Sequence, residues 1–124
     1  MNWTLLGIAG VVIIALLLTR RLALASPEQL RRHLRAGARV IDVRTAEEFH
    51  RGHVAGALNF PLSELQDRLP QELPDRQQVL LLHCLGGWRS RNGQRQLQRL
   101  GYQNVFNLGS LARAQQIVNS TLNH

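Results

Sequence analysis

Several things are scarce in this sequence, and each shortage removes a class of protein. There is one cysteine in 124 residues. No disulfide can therefore form within the chain, and no pairing pattern reveals a redox compartment. Lysine is absent, and all fifteen basic residues are arginine; this is a bias of composition rather than of function. Aromatic residues make up 5% of the chain. None interleaves with the basic stretches and no nucleic-acid motif is present, so a net charge of +7 does not describe a nucleic-acid surface. Repeats and low-complexity tracts are missing. His33, His50 and His124 lack metal-ligand spacing with Cys84, so neither a metal nor a cofactor is expected.

Charge is also missing from Trp3 to Thr19, a run of seventeen residues. At 1.5 Å per residue this is a helix of about 25 Å, the short end of a membrane span. It is apolar on every face, unlike a buried helix of a water-soluble domain. Arg20 and Arg21 follow it and no basic residue precedes it. That order predicts an uncleaved anchor over residues 1–25, with the C-terminal side in the cytoplasm. The alternative is a signal peptide cut after Ala23-Leu24-Ala25, which would release the rest into the periplasm. The uncharged n-region and the misplaced arginines argue against it.

The remaining residues, 26–124, read as one domain of alternating strands and helices. Ser26-Pro27-Glu28 is a helix start, and Gly37 is its stop. Arg39 to Arg44 reads as a strand. Thr45 and Glu48 form a capping box for a short helix ending at Gly52. Ala57 to Phe60 is a brief strand, and Ser63 to Leu69 a helix closed off by Pro70 and Pro74. Val79 to His83 is an unbroken apolar run, as in a strand buried on both faces of a parallel sheet. Arg89 to Leu100 is a helix, Val105-Phe106 a strand, and Leu111 to Leu122 the last helix. The expected fold class is α/β, with a largely parallel sheet flanked by helices.

Cys84 sits where that strand gives way to a helix, in Cys84-Leu85-Gly86-Gly87-Trp88-Arg89-Ser90. Open α/β sheets place ligands at this end of their strands. Gly86 and Gly87 allow a tight loop whose backbone N–H groups converge on one point. Those groups, the helix dipole and Arg89 favour an anion there. The same field favours a thiolate. A persulfide on Cys84 would hold its outer sulfur in this cradle.

These residues carry a resemblance. The loop is similar to the C-x-x-G-x-R-S pattern of the rhodanese-like family. Ile41-Asp42-Val43-Arg44 with Glu47-Glu48-Phe49 resembles the family's first strand and helix. Gly52 to Pro61 resembles its G-H-[IV]-x-G-A-x-N-[IV]-P stretch, and Gly101-Tyr102, Val105 and Gly109 its closing segment. The resemblance covers Ser26 to His124 and is nearest to small single-domain members of the phage-shock protein E type. It implies a sulfurtransferase that moves a sulfane sulfur from thiosulfate or a persulfide to a thiol or cyanide. Cys84 would be the nucleophile, and Leu85, Gly86, Gly87, Trp88 and Arg89 the sulfur-holding loop. A protein acceptor is compatible with this reading. Two alternatives remain: a non-catalytic docking module, and an arsenate reductase or phosphatase. Phosphatase relatives have one more residue between Cys and Arg, whereas four separate Cys84 from Arg89, and the loop has no Asp or Glu.

Gly109 is followed by Ser110 rather than by the second glycine of many relatives, and no later Trp appears. This leaves the packing of the last helix open. Trp88 is expected to cap the pocket mouth or to shield the loop. Asp42 and Arg44 are expected to hold the first strand to neighbouring loops; a pair of Arg44 with Glu47 or Glu48 would be modestly stabilising at most if exposed. His53 is expected to bond backbone in a turn. His83 precedes Cys84 on a strand and so faces the opposite side, which removes it as a general base. Arg91, Arg95 and Arg99 form a stripe on the helix after the loop, within residues 89–124, which hold no acid.

Overall fold

The computed structural model describes residues 2–22 and 25–123, with the side chains of residues 19–22 outside that description. Helix α1 (Trp3–Leu22) opens the chain. Its large apolar side chains from Trp3 to Leu18 are exposed. Among the described residues no helix is long and apolar enough to cross a membrane. The spanning helix expected from the sequence is therefore not supported: α1 has 20 residues, a rise of about 30 Å, but its charge-free part ends at Thr19, before Arg20 and Arg21. Ala23 and Leu24, two residues of the possible cleavage site, lie outside the described residues, as does His124.

The local signals place the remaining elements. Ser26 caps α2 (Pro27–Arg35), its hydroxyl accepting from Gln29 N at 3.2 Å. Strand β1 (Arg39–Asp42) follows. Thr45 and Glu48 form the expected capping box on α3 (Ala46–His50). Strand β2 is Leu58–Asn59 and α4 is Leu62–Glu72. The sequence reading ended α4 at Pro70, whereas Pro70 lies inside it. A proline in the last turn removes one N–H and leaves the rest of the turn able to close. Leu73 N bonds Leu69 O at 2.7 Å, and Arg68 pairs with both Glu64 and Glu72. Strand β3 (Leu80–His83), α5 (Trp88–Arg99), β4 (Val105–Gly109) and α6 (Leu111–Leu122) complete the chain.

The four strands form one parallel sheet in the order β2-β1-β3-β4. Strand β3 lies inside it, and all four of its residues are buried. Alternation along β3 divides the core in two. Leu80, Leu82 and Cys84 join Leu65, Leu69, Leu97 and Tyr102 on the α4/α5 face. Leu81 joins Leu30, Ala114, Ile117 and Val118 on the α2/α6 face. Each fully buried leucine contributes about 1.5–3 kcal/mol. A Cβ on Gly93 would come within 3.0 Å of Leu65 Cδ2 and 3.1 Å of Leu82 Cδ2. A side chain here would need both leucine methyls to give way by a few tenths of an ångström, so glycine suits the close approach of α5 to the sheet.

Ser110 takes a definite role in place of the missing second glycine. Its hydroxyl accepts from Arg113 N at 3.1 Å and caps α6, which then packs through Ala114, Ile117 and Val118. Arg113 also donates to Leu108 O and Ala25 O, both at 2.8 Å. The start of the domain is thereby tied to the start of its last helix.

Candidate active site

Cys84 leaves β3 on the α4/α5 face and is buried, at 1% exposure. Gly87 is the N-cap of α5 and adopts φ +101°, a left-handed conformation that glycine takes without strain. This turn directs the Gly87 N–H onto the sulfur, with 2.9 Å between N and Sγ. Burial is the largest single influence on the thiol and pushes its pKa up. The Ser90 amide, the Ser90 hydroxyl and the amides of Gly87 and Arg89 together outweigh it. The thiol pKa therefore lies below its ordinary value. A thiolate here is held mainly by backbone N–H groups at the head of a helix.

The loop is held from outside as well. Cys84 N donates to Gly109 O at 3.2 Å, Leu111 N to Leu85 O at 3.1 Å, and Gly86 bridges Ser110. The loop therefore rests on the junction between β4 and α6.

Ser90 lies beneath the sulfur, its Oγ 3.6 Å from Sγ. The same hydroxyl is 2.8 Å from Asn107 Oδ1 and 3.1 Å from Gly87 O. One hydroxyl proton faces three acceptors, so its direction follows the charge on the sulfur. Asn107 Oδ1 also accepts from Gly109 N at 2.8 Å. Asn107 thus links the floor of the site to the strand that supports the loop. The sequence reading missed it; the available signal was a polar residue within the apolar strand Val105-Phe106-Asn107-Leu108.

The five loop residues play unequal parts. Gly87 and Arg89 turn amides toward the sulfur. Gly86 and Leu85 anchor the loop through backbone, while the Leu85 side chain is 57% exposed. Trp88, expected to cap the pocket mouth or to shield the loop, is 81% exposed and lines the cleft beside the loop. Arg89 departs most from expectation. Its guanidinium grips Glu48 through two bonds, Nη1–Oε1 at 2.6 Å and Nη2–Oε2 at 3.0 Å. Its hydrogen bond to Arg89 is the main reason the Glu48 carboxyl is lowered to about 2. The Arg89 charge is thus balanced, and the side chain ties α5 to α3 rather than lying free for a bound anion.

Arg44 makes no ion pair with Glu47 or Glu48. Arg44 instead forks onto Asp42, at 3.0 Å from Nε and 2.8 Å from Nη2, and donates to Gly52 O. Both partners are buried, so the pair joins β1 to the turn after α3 as expected of Asp42 and Arg44. His83 is fully buried, and its Nε2 lies 3.7 Å from Asp42 Oδ2. Burial chiefly pushes its pKa down, and Asp42 partly opposes this. Its ring faces Asp42, on the other side of the strand from the thiol. His53 Nδ1 bonds Phe49 O at 3.0 Å, as read for a turn. Among the described residues no group of His, Cys, Asp and Glu could hold a metal ion.

Known proteins resemble this chain in fold and, over part of its length, in sequence. The rhodanese-like domain family matches residues 26–112. The thiosulfate sulfurtransferase PspE of Escherichia coli is 37% identical over 71 residues, 57% of this chain and 68% of that protein. The uncharacterised Bacillus subtilis protein YqhL is 37% identical over 71 residues, 57% of this chain and 55% of YqhL. Among solved structures, a rhodanese with anions from Escherichia coli superposes with a TM-score of 0.60 at 34% identity, covering 62% of this chain and 91% of that one. The human single-domain sulfurtransferase TSTD1 gives 0.61 at 33% identity, covering 68% of this chain and 86% of its own.

Proposed function

The chain belongs to the rhodanese-like family, and on that premise we propose that it transfers sulfane sulfur through a persulfide on Cys84. The Cys84 thiolate attacks the outer sulfur of thiosulfate. A sulfur–sulfur bond forms on Cys84 as the original one breaks, and sulfite leaves with the electron pair. The persulfide then yields its outer sulfur to a thiol or to cyanide, and Cys84 returns to a thiolate. No external oxidant is needed. The observation that carries this reading is the sole cysteine beneath converging amides, with Gly87 N 2.9 Å from its sulfur. Thiosulfate sulfurtransferases among the relatives support it.

A phosphatase or arsenate reductase reading fits less well. Its transition state needs a guanidinium free to grip an oxyanion, and here Glu48 holds that of Arg89. The loop also offers no acid to protonate a leaving group.

Attachment to a membrane belongs to the same proposal, with residues 1–25 as the anchoring part and 26–124 as the catalytic domain. Eleven large apolar side chains of α1 are exposed between Trp3 and Leu18, and such a surface is unfavourable in water. A stretch shorter than the bilayer is accommodated by local thinning or by flanking arginines that reach the interface. The position of Arg20 and Arg21 after the apolar run supports a catalytic domain on the cytoplasmic side, by charge bias.

The test is intact-mass spectrometry of the full chain in detergent. Thiosulfate should add one sulfur, about 32 Da, to Cys84. Cyanide should remove it, and Cys84→Ser should never acquire it. A chain that stays unmodified with thiosulfate and with small persulfide donors overturns the proposal.

A further inference from the structure

A cleft of about 520 Å³ opens beside the catalytic loop, along α5. Leu62 lines it, Trp88 and Arg89 form its end at the loop, and Arg91, Arg95 and Arg99 run along its length. The last three are spaced four residues apart, so they lie on one face of α5 over a rise of about 12 Å. Like charges at this spacing oppose helix formation. Three arginines of the domain are ion-paired, Arg44 on Asp42, Arg68 on Glu64 and Glu72, and Arg89 on Glu48. Arg91, Arg95 and Arg99 have no acidic partner among the described residues, and residues 89–124 contain no acid that could serve. The stripe presents uncompensated positive charge leading away from the thiol.

The apolar exposure points to the same place. Outside α1, the exposed large hydrophobic side chains among the described residues are Leu85, Trp88, Leu100 and Leu122. Two of these four stand on the catalytic loop, and Trp88 is 81% exposed. Trp and Arg are the side chains that most often anchor protein partners. Thiosulfate and cyanide span only a few ångströms of this stripe of about 12 Å.

We propose that the cleft docks a protein acceptor through an acidic segment next to its reactive cysteine, with Trp88 as apolar anchor and Arg91, Arg95 and Arg99 as charge partners. The proposal rests on the sulfurtransferase reading and specifies its acceptor. In the transfer, the acceptor sulfur attacks the outer sulfur of the Cys84 persulfide. The new sulfur–sulfur bond forms on the acceptor as the bond to Cys84 breaks. Cys84 keeps the electron pair as a thiolate, and the acceptor's thiol proton passes to solvent. Sulfur moves as a neutral atom and no further reactant enters.

The experiment separates loading from discharge. The full chain in a non-ionic detergent is charged with thiosulfate and freed of excess. Its persulfide is then discharged by single-cysteine peptides whose flanks are Glu-rich, Gln-rich or Lys-rich, and by coenzyme A and cyanide. Each peptide rate is divided by that peptide's rate with iodoacetamide, which removes differences in thiol reactivity. At low salt the Glu-rich peptide should outpace the Gln-rich one by about tenfold or more, as electrostatic steering allows, and the Lys-rich one should be slowest. High salt should bring the ratios toward one, as should Arg95→Gln/Arg99→Gln. Trp88→Ala should slow all three peptides and leave the Glu-to-Lys order intact. Equal rates for the three peptides, or a preference unchanged in the double variant, overturns the docking proposal. So does coenzyme A outpacing the Glu-rich peptide, since the stripe would then serve a phosphorylated small thiol. Failure to load, or to discharge to cyanide, removes the sulfurtransferase reading itself.

Discussion

Replacing Glu48 by Gln isolates the charge that holds Arg89. Gln can keep the capping box at this position, so α3 should still begin at Thr45 while the ion pair is lost. The Glu48 carboxyl is lowered from 4.5 to about 2, first through its hydrogen bond to Arg89. At about 1.36 kcal/mol per unit this sets a ceiling near 3.4 kcal/mol. The side chains are 35% and 25% exposed, and screening reduces the contribution to about 1–2 kcal/mol. For a domain of about 100 residues that is a fall in Tm of roughly 5–10 °C at pH 7. The sign follows from a depressed carboxyl pKa. The stabilisation is fully present above pH 4.5 and is lost as pH falls toward about 2. Parent and variant should therefore be furthest apart at neutral pH and converge through that acid window. Thermal unfolding in detergent, followed by circular dichroism from pH 7 to pH 3, measures both. The variant should also load sulfur from thiosulfate more slowly, because Arg89 supplies a backbone amide to the sulfur. A pH-independent gap, or no gap at pH 7, would show that the pair is a solvated contact and that Arg89 is not anchored by it.

Ser90→Ala removes one hydroxyl that favours the thiolate and keeps the Ser90 amide, so the Cys84 pKa should rise; alkylation rate against pH reads this, and an unmoved curve refutes it. Gly87→Ala forces a side chain into φ +101°, where a Cβ meets Gly109 backbone only at an ordinary 3.7 Å. The cost is thus backbone strain of about 1–2 kcal/mol, and thermal unfolding together with a slower sulfur-loading rate should show it. The full chain should sediment with membranes, resist carbonate extraction and retain residues 1–25, with a C-terminal reporter active in the cytoplasm. A mature protein beginning at Ser26 would overturn that.

What the sequence made legible was mostly local. Ser26-Pro27, the Thr45–Glu48 box and the run Leu80 to His83 each carry their structure within a few residues, and each element was found where expected. Cys84 with Gly86 and Gly87 was legible because a strand, a tight loop and a helix head are consecutive. The partner of Arg89 was not, since Glu48 lies 41 residues earlier in the chain and already had a role as a cap. Asn107 was hidden for the same reason, because its task under Ser90 exists only once β4 lies beside β3. Pro70 was misread because its rule was applied without regard to position, and in a final turn the missing N–H matters little. The N-terminal helix was legible as a helix, while its fit to a bilayer turns on a few ångströms of length.

The resting of the catalytic loop on the β4–α6 junction has a consequence for the order in which the protein is made. Synthesis brings Cys84 out of the ribosome well before Asn107, Gly109 and Leu111. Until those residues emerge, Gly86 has no Ser110 to bridge, Leu85 O has no Leu111 N, and Ser90 has no Asn107. The surroundings of Cys84 are therefore complete only once β4 and the head of α6 have joined the sheet.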